Sequence, residues 1–150
     1  MAGTYSNLLY HLVFSTKNRI PLISARIQAP LYEYIGGIVR GEDGILLEIG
    51  GMPDHLHLLA RLKPAKSVAE MLNRIKAKSS KWLNAEHMDL RKFGWQEGYS
   101  AFSISESQVP PVRRYLRNQA DHHRRYSYQD ELLTLLKKHR ITFDERFIWR

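Results

Sequence analysis

The chain has 150 residues and a mass of 17.6 kDa, which suggests a single domain over 1–150, large enough to bury roughly two-thirds of its unfolded surface. It contains no cysteine, which excludes disulfides and thiolate metal sites and suits a reducing cytosol. Twenty-three Lys and Arg against 15 Asp and Glu give a formal charge of +8 and a pI near 9.8, a balance expected of a phosphate-rich partner.

Anionic membranes would also attract such a charge, but no long segment combines a cationic face with the wide aromatic face needed at a bilayer interface. No apolar run approaches the ~20 residues of a membrane span, and the N-terminal apolar stretch lacks the basic region of a secretory signal. The expectation is a cytoplasmic, soluble protein that binds nucleic acid and has no membrane partner.

The first element, "NLLYHLVFS" (7–15), is short, aromatic and β-branched, and a turn-like "TKNRIP" follows it, as after a strand. Ile27, Leu31, Tyr34, Ile35 and Ile38 then recur at helical spacing until "GEDG", although the adjacent Gly36 and Gly37 weaken that helix. Residues 45–51 and 55–62 read as two strands joined tightly through Met52, Pro53 and Asp54, hence an antiparallel pair.

Ser67 with Glu70 three residues on forms a capping box and opens a second helix. Val68, Met71, Leu72, Ile75, Trp82 and Leu83 make its apolar stripe, while Arg74, Lys78 and Lys81 gather on another face. "YSAFSISE" (99–106) alternates as a strand does. The segment 109–126 reads as a helix that starts with its prolines, and 130–139 as a short last helix before a tail ending in Phe147, Ile148 and Trp149. The order β α β β α β is that of the ferredoxin-like, RRM-like α+β fold: the first and third strands are central, helices cover one face of an antiparallel sheet, and further helices follow.

On a strand, His55, His57 and Leu59 share one face and Leu56, Leu58 and Ala60 the other. Two imidazoles side by side suit a metal, and equally suit a pair of histidines at a sheet edge. Tyr115 and Gln119 are four residues apart in the arginine-rich helix, one turn and ~5.4 Å along its axis.

Taken together, "PDHLHLL", the later "YLRNQ", "YHLVFSTKNRIPLI", "WQEGYSAFSIS" and "LLKKHRITFDERFIW" resemble the single-tyrosine HUH transposases, the small transposases of insertion sequences and their relatives associated with REP repeats. The likeness spans nearly the whole chain. It implies that His55, His57 and Gln119 bind a divalent metal, Mg²⁺ or Mn²⁺, and that Tyr115 is the nucleophile. Three neutral ligands would leave the ion its full charge to polarise a scissile phosphate.

The resemblance further implies cleavage of single-stranded DNA beside a hairpin, a 5′-phosphotyrosine intermediate, strand transfer without a nucleotide cofactor, and a homodimer in which Tyr115 acts in cis or in trans. Arg74, Lys78, Lys81, Arg113, Arg114, Arg117, Arg124 and Arg125 are candidate contacts to the DNA backbone, and Trp95 and Tyr99 candidates for base stacking.

Blander roles suit other residues. Asp54 shapes a turn. His11, His87, His122, His123 and His139 are surface or packing groups. Leu133, Leu135, Leu136 and Trp149 dock the tail.

Two alternatives differ in class. One is a domesticated, non-catalytic hairpin-binding protein that keeps the fold. The other is an HUH replication initiator or relaxase, but no YxxxY pattern surrounds Tyr115 and no helicase-sized segment is attached. A histidine-triad hydrolase is excluded by Leu59 at the position of its third histidine.

Overall fold

The computed structural model describes residues 3–87 and 92–150. Its elements in chain order are β1 (Leu8–Ser15), α1 (Ala25–Gly41), β2 (Ile45–Met52), β3 (His55–Leu62), α2 (Val68–Glu86), β4 (Ser100–Ile104), α3 (Val109–Arg117), α4 (Gln119–His122) and α5 (Tyr128–Lys138). The sheet is antiparallel throughout, in the order β2-β3-β1-β4, so β1 and β3 are central as the sequence pattern requires.

Register divides the side chains of the sheet. Directly opposed residues share a face, and His57 stands opposite Val13 on one side and Gly50 on the other, while His55 stands opposite Ser15 and Met52. The other face carries Leu12, Phe14, Leu56 and Leu58, all with no exposed surface, packed against Ile27, Leu31 and Ile35 of α1 and Met71, Leu72 and Ile75 of α2. That apolar layer is the main core. It also carries α1 through Gly36 and Gly37, because the helix is held by its buried stripe rather than by local propensity.

Ser67 caps α2 as its spacing requires, its Oγ accepting the Glu70 N–H at 3.0 Å. Trp82 lies at the edge of the main core, stacked on Tyr34.

The C-terminal helices cover the second face, the one that bears the histidines. Val13 and Phe102 of the sheet meet Tyr128, Leu132 and Leu136 of α5, with Leu135, Phe143 and Trp149 at the edge of this cluster. The sheet is therefore covered on both sides, the second cover being the helices that follow β4.

The long helix expected over 109–126 is broken. Pro110 and Pro111 lie in the first turn of α3, where their missing N–H groups cost nothing. Asn118 then leaves helical geometry at φ −99° and ψ 25°. Gln119 begins the separate α4 and is buried. Among the described residues, no helix is long and apolar enough to cross a membrane.

A candidate metal centre beside Tyr115

The rigid central strand β3 supplies two of the groups. His55 and His57 are wholly buried and point their Nε2 atoms toward the carboxylate of Glu131 on α5. The distances to Glu131 Oε1 are 3.3 Å from His55 and 2.7 Å from His57. Each ring is fixed from behind: His55 Nδ1–H donates to Asp54 Oδ1 at 2.8 Å, and His57 Nδ1 lies 2.8 Å from His11 Nε2.

Gln119 brings its amide oxygen to 3.1 Å from His55 Nε2 and 3.0 Å from His123 Nε2. His123 in turn donates from Nδ1 to the carbonyl of Tyr126 at 2.7 Å. The Tyr115 hydroxyl donates to Glu131 Oε2, and its ring stands edge-on to His57 with centroids 5.6 Å apart. Tyr115, His55, His57 and Gln119, paired in the sequence by spacing alone, thus meet in one place.

Burial dominates the electrostatics. It pushes His11 down to about 3, with the neighbouring His57 acting in the same direction, and it lowers His57 as well. At His55 burial also works downward, but hydrogen bonds to Asp54 and Glu131 outweigh it and raise the imidazole to about 9. Glu131 has burial working against its charge, yet the hydrogen bonds from His123, His55 and His57 hold it well below the usual carboxylate range. Burial and the adjacent Glu131 charge together raise the Tyr115 phenol far above its ordinary value. The resting site therefore keeps Tyr115 protonated beside a carboxylate anion.

The donor set fits a divalent cation. One ligating atom each from His55, His57, His123 and Glu131 lies within 4.8 Å of all the others, and Gln119 Oε1 is in contact with two of those four residues.

Other candidates fall elsewhere. Arg74, Lys78 and Lys81 are on α2, across the sheet from Tyr115, and Arg74 is paired with Glu42 at 2.8 Å. Arg113, Arg114 and Arg117 are on the tyrosine's own helix, and Arg117 pairs with Glu48 at 2.9 Å. Trp95 is packed against Phe14 and Phe93, with its Nε1 donating to Ser79 Oγ, so it is a core residue rather than a stacking platform; Tyr99 is exposed.

His11 and His123, read from sequence as surface or packing groups, belong to the centre. The one usable signal was the spacing of His123, one helical turn beyond Gln119. Glu131, in the first turn of α5, carries no such signal in the sequence.

Residues 4–119 match the family model described as "Transposase IS200 like". The chain belongs to the IS200-like transposase family. Relatives include the ISDra2 transposase TnpA of Deinococcus radiodurans, 25% identical over 126 residues that cover 79% of this chain and 89% of the relative. The transposase of insertion sequence IS200 from Salmonella typhimurium is 25% identical over 127 residues, covering 81% of this chain and 82% of the relative.

Among solved structures, a putative transposase from Deinococcus radiodurans superposes with a TM-score of 0.66 at 22% identity, over 79% of this chain and 95% of that one. A REP-associated tyrosine transposase bound to a REP hairpin superposes with a TM-score of 0.62 at 14% identity, over 82% and 73%. Both share the fold of this IS200-like transposase. The family match includes His55, His57 and Tyr115, and it ends at Gln119, before His123 and Glu131.

Proposed function

We propose that this IS200-like transposase cuts and rejoins single-stranded DNA beside hairpin ends, using Tyr115 as the nucleophile and a divalent ion, Mg²⁺ or Mn²⁺, held by His55, His57 and Gln119. The observation that carries this reading is the meeting of the Tyr115 hydroxyl with both histidines and Gln119 at one buried carboxylate.

Attack by the Tyr115 oxygen on the scissile phosphorus forms a Tyr–O–P bond and breaks the bond to the 3′-oxygen. The phenolic proton is lost and the 3′-oxygen leaves as a hydroxyl, so atoms and charge balance. The 5′-phosphotyrosine conserves the phosphodiester, and a second 3′-hydroxyl can reverse the step to join new ends without ATP. A bound divalent ion would polarise the phosphate and offset the Glu131 charge that holds the Tyr115 proton in place.

The protein's own residues do the positioning. The strand fixes the two imidazoles, Asp54 and His11 hold their rings, and α3 sets the phenol over His57. Arg113 and Arg114 are proposed backbone contacts near the reacting phosphate, with Arg117 once it leaves Glu48. Arg74, Lys78 and Lys81 would extend the basic surface across the sheet.

The structurally similar transposase bound to a REP hairpin supports a hairpin as the partner, and the reading is of a cytoplasmic homodimer.

The test uses end-labelled single-stranded DNA carrying a hairpin from each flank of the gene, with Mg²⁺, Mn²⁺ or chelator. Metal-dependent cleavage is expected from the natural protein, and at least ~100-fold less from His57→Ala and Tyr115→Phe, with Tyr115→Phe still binding the hairpin. Full cleavage by His57→Ala would refute the metal assignment. Tight hairpin binding without cleavage in any metal would favour the non-catalytic binder.

A further inference from the structure

His123 and Glu131 face the same point as the histidine pair. The carbonyl of Tyr126 can only accept, so the His123 Nδ1 beside it carries the proton. Its Nε2 is thereby turned inward, 3.0 Å from Gln119 Oε1 and 3.3 Å from Glu131 Oε2.

His55 repeats the pattern. Its Nδ1–H is spent on Asp54, and its Nε2 faces Gln119 Oε1 at 3.1 Å and Glu131 Oε1 at 3.3 Å. Inward-facing imidazole nitrogens beside an amide oxygen and a carboxylate are the donor atoms that a divalent transition-metal ion takes, and one such atom from each of His55, His57, His123 and Glu131 lies within 4.8 Å of the others. Ring nitrogens tied from behind to a carboxylate or carbonyl, with the other nitrogens turned inward, are the usual support of metal-ligating histidines. The His57 Nδ1 contact with His11 completes this for the third ring.

We propose that His123 and Glu131 are metal ligands in addition to His55, His57 and Gln119, so that three imidazoles and one carboxylate join the amide oxygen in a centre that selects a transition metal such as Mn²⁺ over Mg²⁺. This rests on the reading of His55 and His57 as metal ligands given above. Imidazole suits transition-metal ions, whereas Mg²⁺ favours oxygen ligands and keeps its waters. Glu131 reduces the net charge of the loaded centre by one, and its second oxygen receives the Tyr115 hydroxyl, so a single carboxylate couples ion and nucleophile.

The test measures binding rather than turnover. The full-length protein, freed of metal, is titrated calorimetrically with Mn²⁺, Co²⁺ and Mg²⁺, and the visible absorption of the Co²⁺ form is recorded. Mn²⁺ and Co²⁺ are expected to bind at least ~100-fold more tightly than Mg²⁺. Glu131→Gln and His123→Gln are each expected to weaken Mn²⁺ at least ~10-fold and to change the Co²⁺ spectrum, with thermal melts checking that both variants fold.

His57→Ala is the control. If it abolishes binding while Glu131→Gln and His123→Gln leave affinity and spectrum as they were, the enlarged ligand set is wrong and the histidine pair stands. If His57→Ala also changes nothing, the histidine-pair reading falls with it. Should one variant fail to fold, the other and the preference of the natural protein for Mn²⁺ over Mg²⁺ decide the matter.

Discussion

Gly50 lies opposite His57 across the β2–β3 ladder, and α3 occupies the space where its side chain would stand. A Cβ there would fall 2.0 Å from the carbonyl oxygen of Leu116 and 2.8 Å from its carbonyl carbon. Backbone cannot yield as a flexible side chain can, so the bare glycine is what lets α3 rest directly on the strand. Tyr115, the residue before Leu116, is thereby held over His57.

Gly50→Ala is expected to destabilise the fold by about 1–3 kcal/mol, as overpacking does, and to reduce DNA cleavage at least ~10-fold, because small displacements of a reacting group are costly. Denaturant unfolding and a single-turnover cleavage rate would check the two effects separately. Unchanged cleavage in a folded Gly50→Ala protein would mean that this contact does not set the position of the tyrosine.

Among the elements, α2 does more than cover the sheet. Lys76 reaches from it to the segment leading into β4, its Nζ donating to the carbonyls of Gln96 at 3.1 Å, Glu97 at 3.3 Å and Gly98 at 2.6 Å. Burial lowers its pKa from 10.5 to about 8. Between those values the unfolded chain holds the proton and the folded chain has released it, so the unfolded state binds more protons and stability rises with pH.

The cost of burying the charged amine is thus fully present below pH 8 and is relieved as pH climbs toward 10.5. Lys76→Met carries no such group. The gap in Tm between natural protein and variant is therefore expected to shift in favour of the natural protein from pH 8 to pH 10. A gap constant over that range would contradict the linkage.

Elements were legible where periodicity is long. Strand β3 runs over 55–62 as its alternation implies, and α2 starts at its capping box. The break at Asn118 was not legible, because an unbroken helical pattern runs through it; what separates α4 from α3 is the burial of Gln119 against the histidines, a tertiary effect. The S-x-x-D cap at Ser127, whose Oγ accepts from the Asp130 N–H, sets the start of α5 and was available to be read.

For the molecule as a whole, the order of strands and helices was readable, while the closing of the second face by the C-terminal helices was not. His55, His57, Tyr115 and Gln119 could be picked out because their spacing resembles a known pattern. Glu131 sits in the first turn of a helix, where an acidic residue ordinarily answers the helix dipole. His11 sits on a strand 46 residues before its partner His57, and only sheet register pairs them. No local pattern carries that information. The candidate site is assembled from β1, β3, α3, α4 and α5 because the C-terminal helices fold back over the sheet, and its geometry depends on that closure.

If Tyr115 is the nucleophile, it becomes covalently joined to the 5′ end of the cut strand. The protein should be incubated with Mn²⁺ and hairpin-bearing single-stranded DNA from the flanks of its gene, then digested with protease and nuclease, and the modified peptide sequenced by mass spectrometry. A nucleotide 5′-phosphate on Tyr115, absent when metal is chelated, is the expected result. Cleaved DNA with that mass on another residue, or with no covalent adduct at any time point, would contradict it.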